Sequence, residues 1–164
     1  MNGNLPRPST IEVDHLGVSV RDLGRSLDFY CRILGAVLVM PPRPVDDFNF
    51  RRAVVTFDGS MVIDLNEHVT NSGEAFDPTR TGLDHLAFQI PSYDALEAWV
   101  AYLEAHGMEH SPIRTIEGVG EAVDFRDPDG IQIELWHMDR NGQWAHYVQK
   151  KLAAALADPQ GSVP

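Results

Sequence analysis

The feature that most constrains this chain is that it repeats itself. VDHLGVSV at 13–20 matches LDHLAFQI at 83–90, and MVIDLNE at 61–67 matches IQIELWH at 131–137, both at an offset of 70 residues. A single Asp-His-Leu match carries little weight. Two matched segments with ligand-type residues at one shared offset indicate a duplicated module, in which His15 and Asp64 correspond to His85 and Glu134.

Each copy reads as β-α-β-β-β. Residues 11–20 alternate, with Leu16, Val18 and Val20 on one face and Val13, His15, Gly17 and Ser19 on the other, the period of a strand. Asp22 is placed to cap a helix in which Leu23, Leu27, Tyr30 and Leu34 fall at helical spacing and Gly35 is the stop. Strands are expected at 36–40, 50–57 and 60–67, with a turn at Asp58-Gly59 and a proline-rich loop at 41–49 bordering the site. The second copy repeats the order: a strand at 83–90, a helix carrying Leu96, Trp99, Val100 and Leu103 and ending at His106-Gly107, and strands at 108–116, 121–126 and 130–137. The division is a lead-in at 1–10, modules at 11–67 and 83–138, a polar linker at 68–82, and a C-terminal segment at 139–164. That segment contains a helix at 142–157 with Trp144, Tyr147, Val148 and Leu152 on one side. The fold class is α+β, two such modules building a cupped mixed sheet, plus this helix.

His15, Asp64, His85 and Glu134 each sit on a strand with an aliphatic residue following, so alternation puts all four on the face opposite the core. Buried imidazoles and carboxylates are costly unless paired or bound to a cation. Two of each suit a first-row divalent ion (Fe, Mn, Co, Ni or Zn) and leave it one or two open positions. Without Asp64, the remaining two His and one carboxylate form the facial set of non-haem Fe(II) oxygenases. Gln89, Asn66 and Trp136 share the parity of these ligands and are candidate substrate contacts. Arg51 and Arg52 lie on opposite faces of one strand, so one at most faces the site; Arg51 is taken as the candidate, and an inward Arg suits an anionic group.

Composition narrows the partners. A formal charge of −11 argues against nucleic acid and anionic membrane surfaces, and no apolar run reaches the length of a membrane helix. The first residues lack a basic stretch followed by an apolar one, so the expected compartment is the cytoplasm. The lone Cys31 has no internal disulfide partner and is expected to be packing.

The two histidine strands, the helix segment SLDFYCRILG and the run FRDPDGIQIEL resemble the vicinal oxygen chelate superfamily over about residues 11–138. That superfamily includes glyoxalase I, methylmalonyl-CoA epimerase, extradiol dioxygenases, fosfomycin-resistance enzymes and bleomycin-resistance proteins. The resemblance implies a cup around one metal held by His15, Asp64, His85 and Glu134, and a homodimer. The family usually carries Glu or Gln where this chain has Asp64, which suggests binding through water. The implied activity is a glyoxalase-like lyase, isomerase or epimerase acting on a small oxygenated substrate through an enediolate, with Glu134 or Asp64 as the base. The alternative is an Fe(II) extradiol dioxygenase using His15, His85 and Glu134, with proton-transfer residues drawn from His68, His110, His137, His146 and Tyr147. A non-enzymatic drug-binding protein is the weaker alternative, since such members usually lack the metal residues.

Overall fold

The computed structural model describes residues 12–59 and 61–157, and the chain divides into two compact units after Glu74. In the first unit, β1 (His15–Ser19) is followed by α1 (Leu23–Leu27), which continues into a π-helical turn over Asp28–Ile33. Next come β2 (Val37–Val45), β3 (Phe50–Thr56) and β4 (Val62–His68), with a 3-10 turn at Asp46–Phe48 between β2 and β3. The sheet order is β1-β4-β3-β2, with β1 parallel to β4 and the other pairs antiparallel. The second unit repeats this with β5 (His85–Gln89), α2 (Tyr93–Ala105), β6 (Arg114–Ile116), β7 (Gly120–Arg126) and β8 (Gln132–Met138), ordered β5-β8-β7-β6. A terminal helix, α3, spans Gln143–Ala157. The fold is therefore α+β, two four-stranded mixed sheets each carrying a helix.

Local chemistry accounts for the boundaries. The Asp22 carboxylate accepts from the Arg25 backbone N–H at 3.0 Å and starts α1, and the Ser92 hydroxyl does the same for Ala95 in α2. Gly35 and Gly107 end the helical segments at φ 78° and 67°, a conformation that costs a side-chain-bearing residue. The π turn brings the adjacent Phe29 and Tyr30 into the core together with Ile33, their rings meeting edge to face. Each core is built from the aliphatic face of its sheet: Val18, Val55, Ile63 and Leu65 in one, Val123, Phe125, Ile133 and Leu135 in the other.

Three expectations need correction. The proline-rich segment after Met40 is strand rather than loop as far as Val45. Pro41, Pro42 and Pro44 are tolerated because β2 is an edge strand, and its pairing with β3 shifts register twice, around Met40. The strand expected from 108 to 116 is ordered as β6 only from Arg114; before it lies an isolated bridge between His110 and Phe125, and Pro112 has no N–H to continue the ladder. Cys31 is only half-buried, with its thiol pushed up by burial and then by the neighbouring Asp28. The helix expected at 142–157 is present as α3, and Trp144, Tyr147, Val148 and Leu152 on it are all exposed. Ile11 and Ser60, which the expected strands included, lie outside the described residues, as does the lead-in. No helix among the described residues is long and apolar enough to cross a membrane.

Candidate metal centre

Each unit carries the same pair. In the first, β1 and β4 run parallel with Gly17 opposite Asp64, so His15, one step back along the same face, reaches diagonally toward Asp64. Its Nε2 lies 3.9 Å from Asp64 Oδ2. In the second, Ala87 lies opposite Glu134, and His85 Nε2 lies 3.9 Å from Glu134 Oε2. Both carboxylates are mostly buried while both imidazoles are open, at 50% and 41% exposure for the side chains of His15 and His85.

The opposite nitrogen of each imidazole is tied down in the same way. His15 Nδ1 donates to Asp14 Oδ1 at 2.6 Å, and His85 Nδ1 donates to Asp84 Oδ1 at 2.7 Å. An ionised carboxylate only accepts, so the proton sits on Nδ1 and the lone pair of the neutral ring is on Nε2, the atom turned toward Asp64 or Glu134. A pair of donor atoms 3.9 Å apart is close to the separation of two ligands on one first-row ion and needs only a small side-chain adjustment to reach it. This donor chemistry fits a divalent metal in both units. Among the described residues no cluster of three or more His, Cys, Asp or Glu side chains forms, so each unit presents a two-ligand set.

The two sets differ in how an arginine attends the carboxylate. In the first unit Arg52 on β3 places Nη1 3.2 Å from Asp64 Oδ2, the same oxygen that faces His15. Its Nε donates to Asn66 Oδ1 at 2.8 Å, and its guanidinium lies over the Phe50 ring at 5.1 Å. In the second unit Arg114, on the edge strand β6, grips Asp124 through Nε and Nη2, each 3.0 Å from a carboxylate oxygen, and Nη2 also donates to Glu134 Oε1 at 3.0 Å. Oε2 of Glu134 is left toward His85. Asp124 and Glu134 are direct cross-strand partners, so the guanidinium neutralises two carboxylates that would otherwise repel.

These surroundings shift the proton affinities. The His15 imidazole is held above its ordinary value, first by the hydrogen bond to Asp14 and then by the charge of Asp64. Burial pushes the Glu134 carboxyl up, and the nearby Asp124 charge pushes it further.

The expected substrate contacts separate. Asn66 is buried beside Asp64, where its Nδ2 donates to the Asp64 carbonyl; Gln89 and Trp136 face each other across the β5–β8 ladder. Arg51 is on the wrong face: it is the direct partner of Glu67 and donates to that carboxylate at 3.0 Å, while Arg52 takes the position beside Asp64. The register of β3 against β4 decides this, since a slip of one residue exchanges the two arginines. Asp124 and Arg114 were not anticipated. Asp124 could have been found by parity, because its neighbours Val123 and Phe125 are core residues.

The candidate proton-transfer residues are engaged elsewhere. His110, His137 and His146 donate through Nδ1 to the carbonyls of Ser111, Ile90 and Gly142, at 2.7, 3.3 and 3.0 Å. His68 packs on Phe50, and Tyr147 stacks on Trp144.

Comparison with known proteins supplies the family. Over residues 12–135 the chain matches the family model for the Glyoxalase/Bleomycin resistance protein/Dioxygenase superfamily. It is 31% identical over 146 residues to a catechol-2,3-dioxygenase of Bacillus subtilis (strain 168), a match covering 81% of this chain and 47% of that protein; the chain thus spans about half the length of this relative. The crystal structure of a glyoxylase/bleomycin resistance protein/dioxygenase domain from Frankia sp. EAN1pec superposes with a TM-score of 0.71 at 31% identity, covering 79% of this chain and 99% of that one. A variant of the fosfomycin resistance protein FosX from Listeria monocytogenes, solved with Mn(II) and 1S,2S-dihydroxypropylphosphonic acid, shares the fold at a TM-score of 0.64 and 21% identity, covering 85% of this chain and 99% of that one. The repeated β-α-β-β-β units, the paired His and carboxylate side chains and the family match agree: the chain belongs to the glyoxalase/bleomycin resistance protein/dioxygenase superfamily.

Proposed function

We propose that this chain is a metal-dependent enzyme in which His15, Asp64, His85 and Glu134 form the ligand set of one divalent ion, and that it acts on a small oxygenated substrate as a glyoxalase-like lyase, isomerase or epimerase. The observation that carries the reading is the same pair in both units, an imidazole tied at Nδ1 by the preceding Asp with Nε2 turned toward a carboxylate. Family membership supports it, as does the Mn(II) bound by the FosX variant of the same fold. A bound divalent ion would polarise a substrate carbonyl and neutralise the negative charge that develops on its oxygen when an adjacent C–H is deprotonated.

The chain's own residues supply the rest. Asp14 and Asp84 hold the imidazoles in the tautomer that leaves Nε2 free. Glu134, released from the ion or held beside it, is the base of choice, because burial raises its proton affinity above the ordinary carboxylate value. Asp64, held by Arg52, is the second candidate. The test is proton exchange into D2O, followed by NMR, with metal-loaded enzyme and a panel of α-hydroxycarbonyl and 2-oxo compounds. Absence of metal-dependent exchange across the panel rejects the lyase or isomerase reading.

A second reading, an Fe(II) extradiol-type dioxygenase using His15, His85 and Glu134, is favoured by one observation: Arg52 already occupies the Asp64 oxygen that faces His15. The similarity to a catechol-2,3-dioxygenase points the same way. Oxygen uptake with catechols after anaerobic loading with Fe(II) selects this reading, and equal activity with Zn(II) or Ni(II) rejects it.

A further inference from the structure

We infer that Arg114, clamped by Asp124, is a positioning residue that turns Oε2 of Glu134 toward His85 and so sets the affinity and geometry of metal binding by the second unit. The inference rests on the proposed ligand role of Glu134.

Glutamate has two equivalent oxygens and three side-chain torsions, so an unrestrained Glu134 could present either oxygen, both, or neither. Arg114 removes that freedom. Its Nη2 takes Oε1 at 3.0 Å, which leaves Oε2 as the oxygen nearest His85 Nε2. The guanidinium is itself fixed, because Nε and Nη2 meet the two oxygens of Asp124 at 3.0 Å each, a fork-on-carboxylate geometry that a point charge cannot reproduce. The strands deliver all three groups to one face. Asp124 is the register partner of Glu134, and Arg114 is the partner of Ala122, one step along from Asp124 on the same face. Asp124 therefore acts through the arginine: it holds the residue that holds the ligand. A carboxylate partner of this kind typically changes metal affinity about 10- to 100-fold when removed.

Charge alone makes the opposite prediction. Taking a cation away from a metal site, as Arg114→Ala does, strengthens the attraction for a dication. The discriminating variant is therefore Arg114→Lys, which keeps the charge and loses the fork. Full-length apoprotein is titrated with Co(II), affinity is read by calorimetry and coordination by the visible absorption of the bound ion. The expected result is about tenfold or greater weakening in Arg114→Lys with a changed Co(II) spectrum, and a shift in the same direction in Asp124→Asn, which leaves both Arg114 and Glu134 in place. Wild-type affinity and spectrum in Arg114→Lys, with Co(II) binding lost in Glu134→Ala, overturns the positioning role while leaving the ligand set intact. Retention of Co(II) by Glu134→Ala overturns the ligand role of Glu134 itself, and the inference with it.

Discussion

The unequal treatment of the two carboxylates makes a quantitative prediction about the ligand set. Asp64 meets His15 and Arg52 through one oxygen, Oδ2, at 3.9 and 3.2 Å, whereas Glu134 divides its partners, Oε1 to Arg114 and Oε2 toward His85. A metal binding Asp64 on its His-facing side must share or displace the guanidinium, while one binding Glu134 at Oε2 leaves the arginine contact in place. An ion pair of this kind, with Arg52 partly exposed to solvent screening, is worth on the order of 1 kcal/mol. That amount is subtracted from whatever Asp64 gains by ligation. At about 1.4 kcal/mol per tenfold, Asp64→Asn should weaken Co(II) or Mn(II) binding roughly fivefold less than Glu134→Gln does. The assay is competition against a chelator of known affinity, with apoprotein, at constant pH and ionic strength. An Asp64→Asn loss equal to or greater than the Glu134→Gln loss refutes the argument, since it would mean that the Arg52 contact takes nothing from the site.

Three further outcomes are expected. Gly120 has φ 150° and a Cβ there would run into the His137 carbonyl, so Gly120→Ala should lower stability by about 2 kcal/mol or more and loosen the start of the β7–β8 ladder; chemical denaturation with an unchanged midpoint contradicts this. The raised proton affinity of Glu134 means that its charged form is disfavoured by folding. The apoprotein therefore gains stability from this group as pH falls through its folded value toward the ordinary carboxylate range, and apo Glu134→Gln should melt at or above wild type at pH 8, with the difference closing by pH 4. A lower melting temperature for Glu134→Gln at pH 8 refutes that sign. Because Asp14 is the main cause of the raised His15 value, Asp14→Asn should move the acid limb of metal binding to lower pH, checked by repeating the Co(II) titration between pH 5 and 8.

The parts of this fold that were legible in the sequence are those set by period and duplication. Alternation along VDHLGVSV and IQIELWH placed His15 and Glu134 opposite the core, and the shared offset of 70 residues made the matched strands visible without any structure. What was hidden depends on register and on edges. Arg51 and Arg52 could be assigned to opposite faces but not to a particular face, because that follows from how β3 slides on β4. The prolines after Met40 read as a loop since a central strand cannot hold them; only the sheet order reveals that β2 is an edge. The strand expected at 108–116 included Arg114 but did not reveal its partners, since the ordered strand β6 is only three residues long and begins two residues after Pro112.

The duplication is most informative where it breaks. At the shared offset Arg52 corresponds to Ala122 and Val54 to Asp124, so the strand beside each acid has changed character between the units. In the first, that strand supplies the arginine directly, diagonal to a short acid, and both partners converge on one oxygen. In the second, it supplies an acid instead, which draws an arginine from the edge strand, and the longer side chain of Glu134 lets one oxygen answer the arginine while the other stays toward the imidazole. One methylene and one exchange of charge thus turn two copies of a ligand pair into unlike halves. The histidines keep the same tether and the same tautomer, so the difference resides in the acids and in the cations that attend them. In the proposed ligand set Glu134 is therefore the firmer ligand and Asp64 the weaker, and the arginines, which family resemblance alone does not assign, are the residues that set the difference.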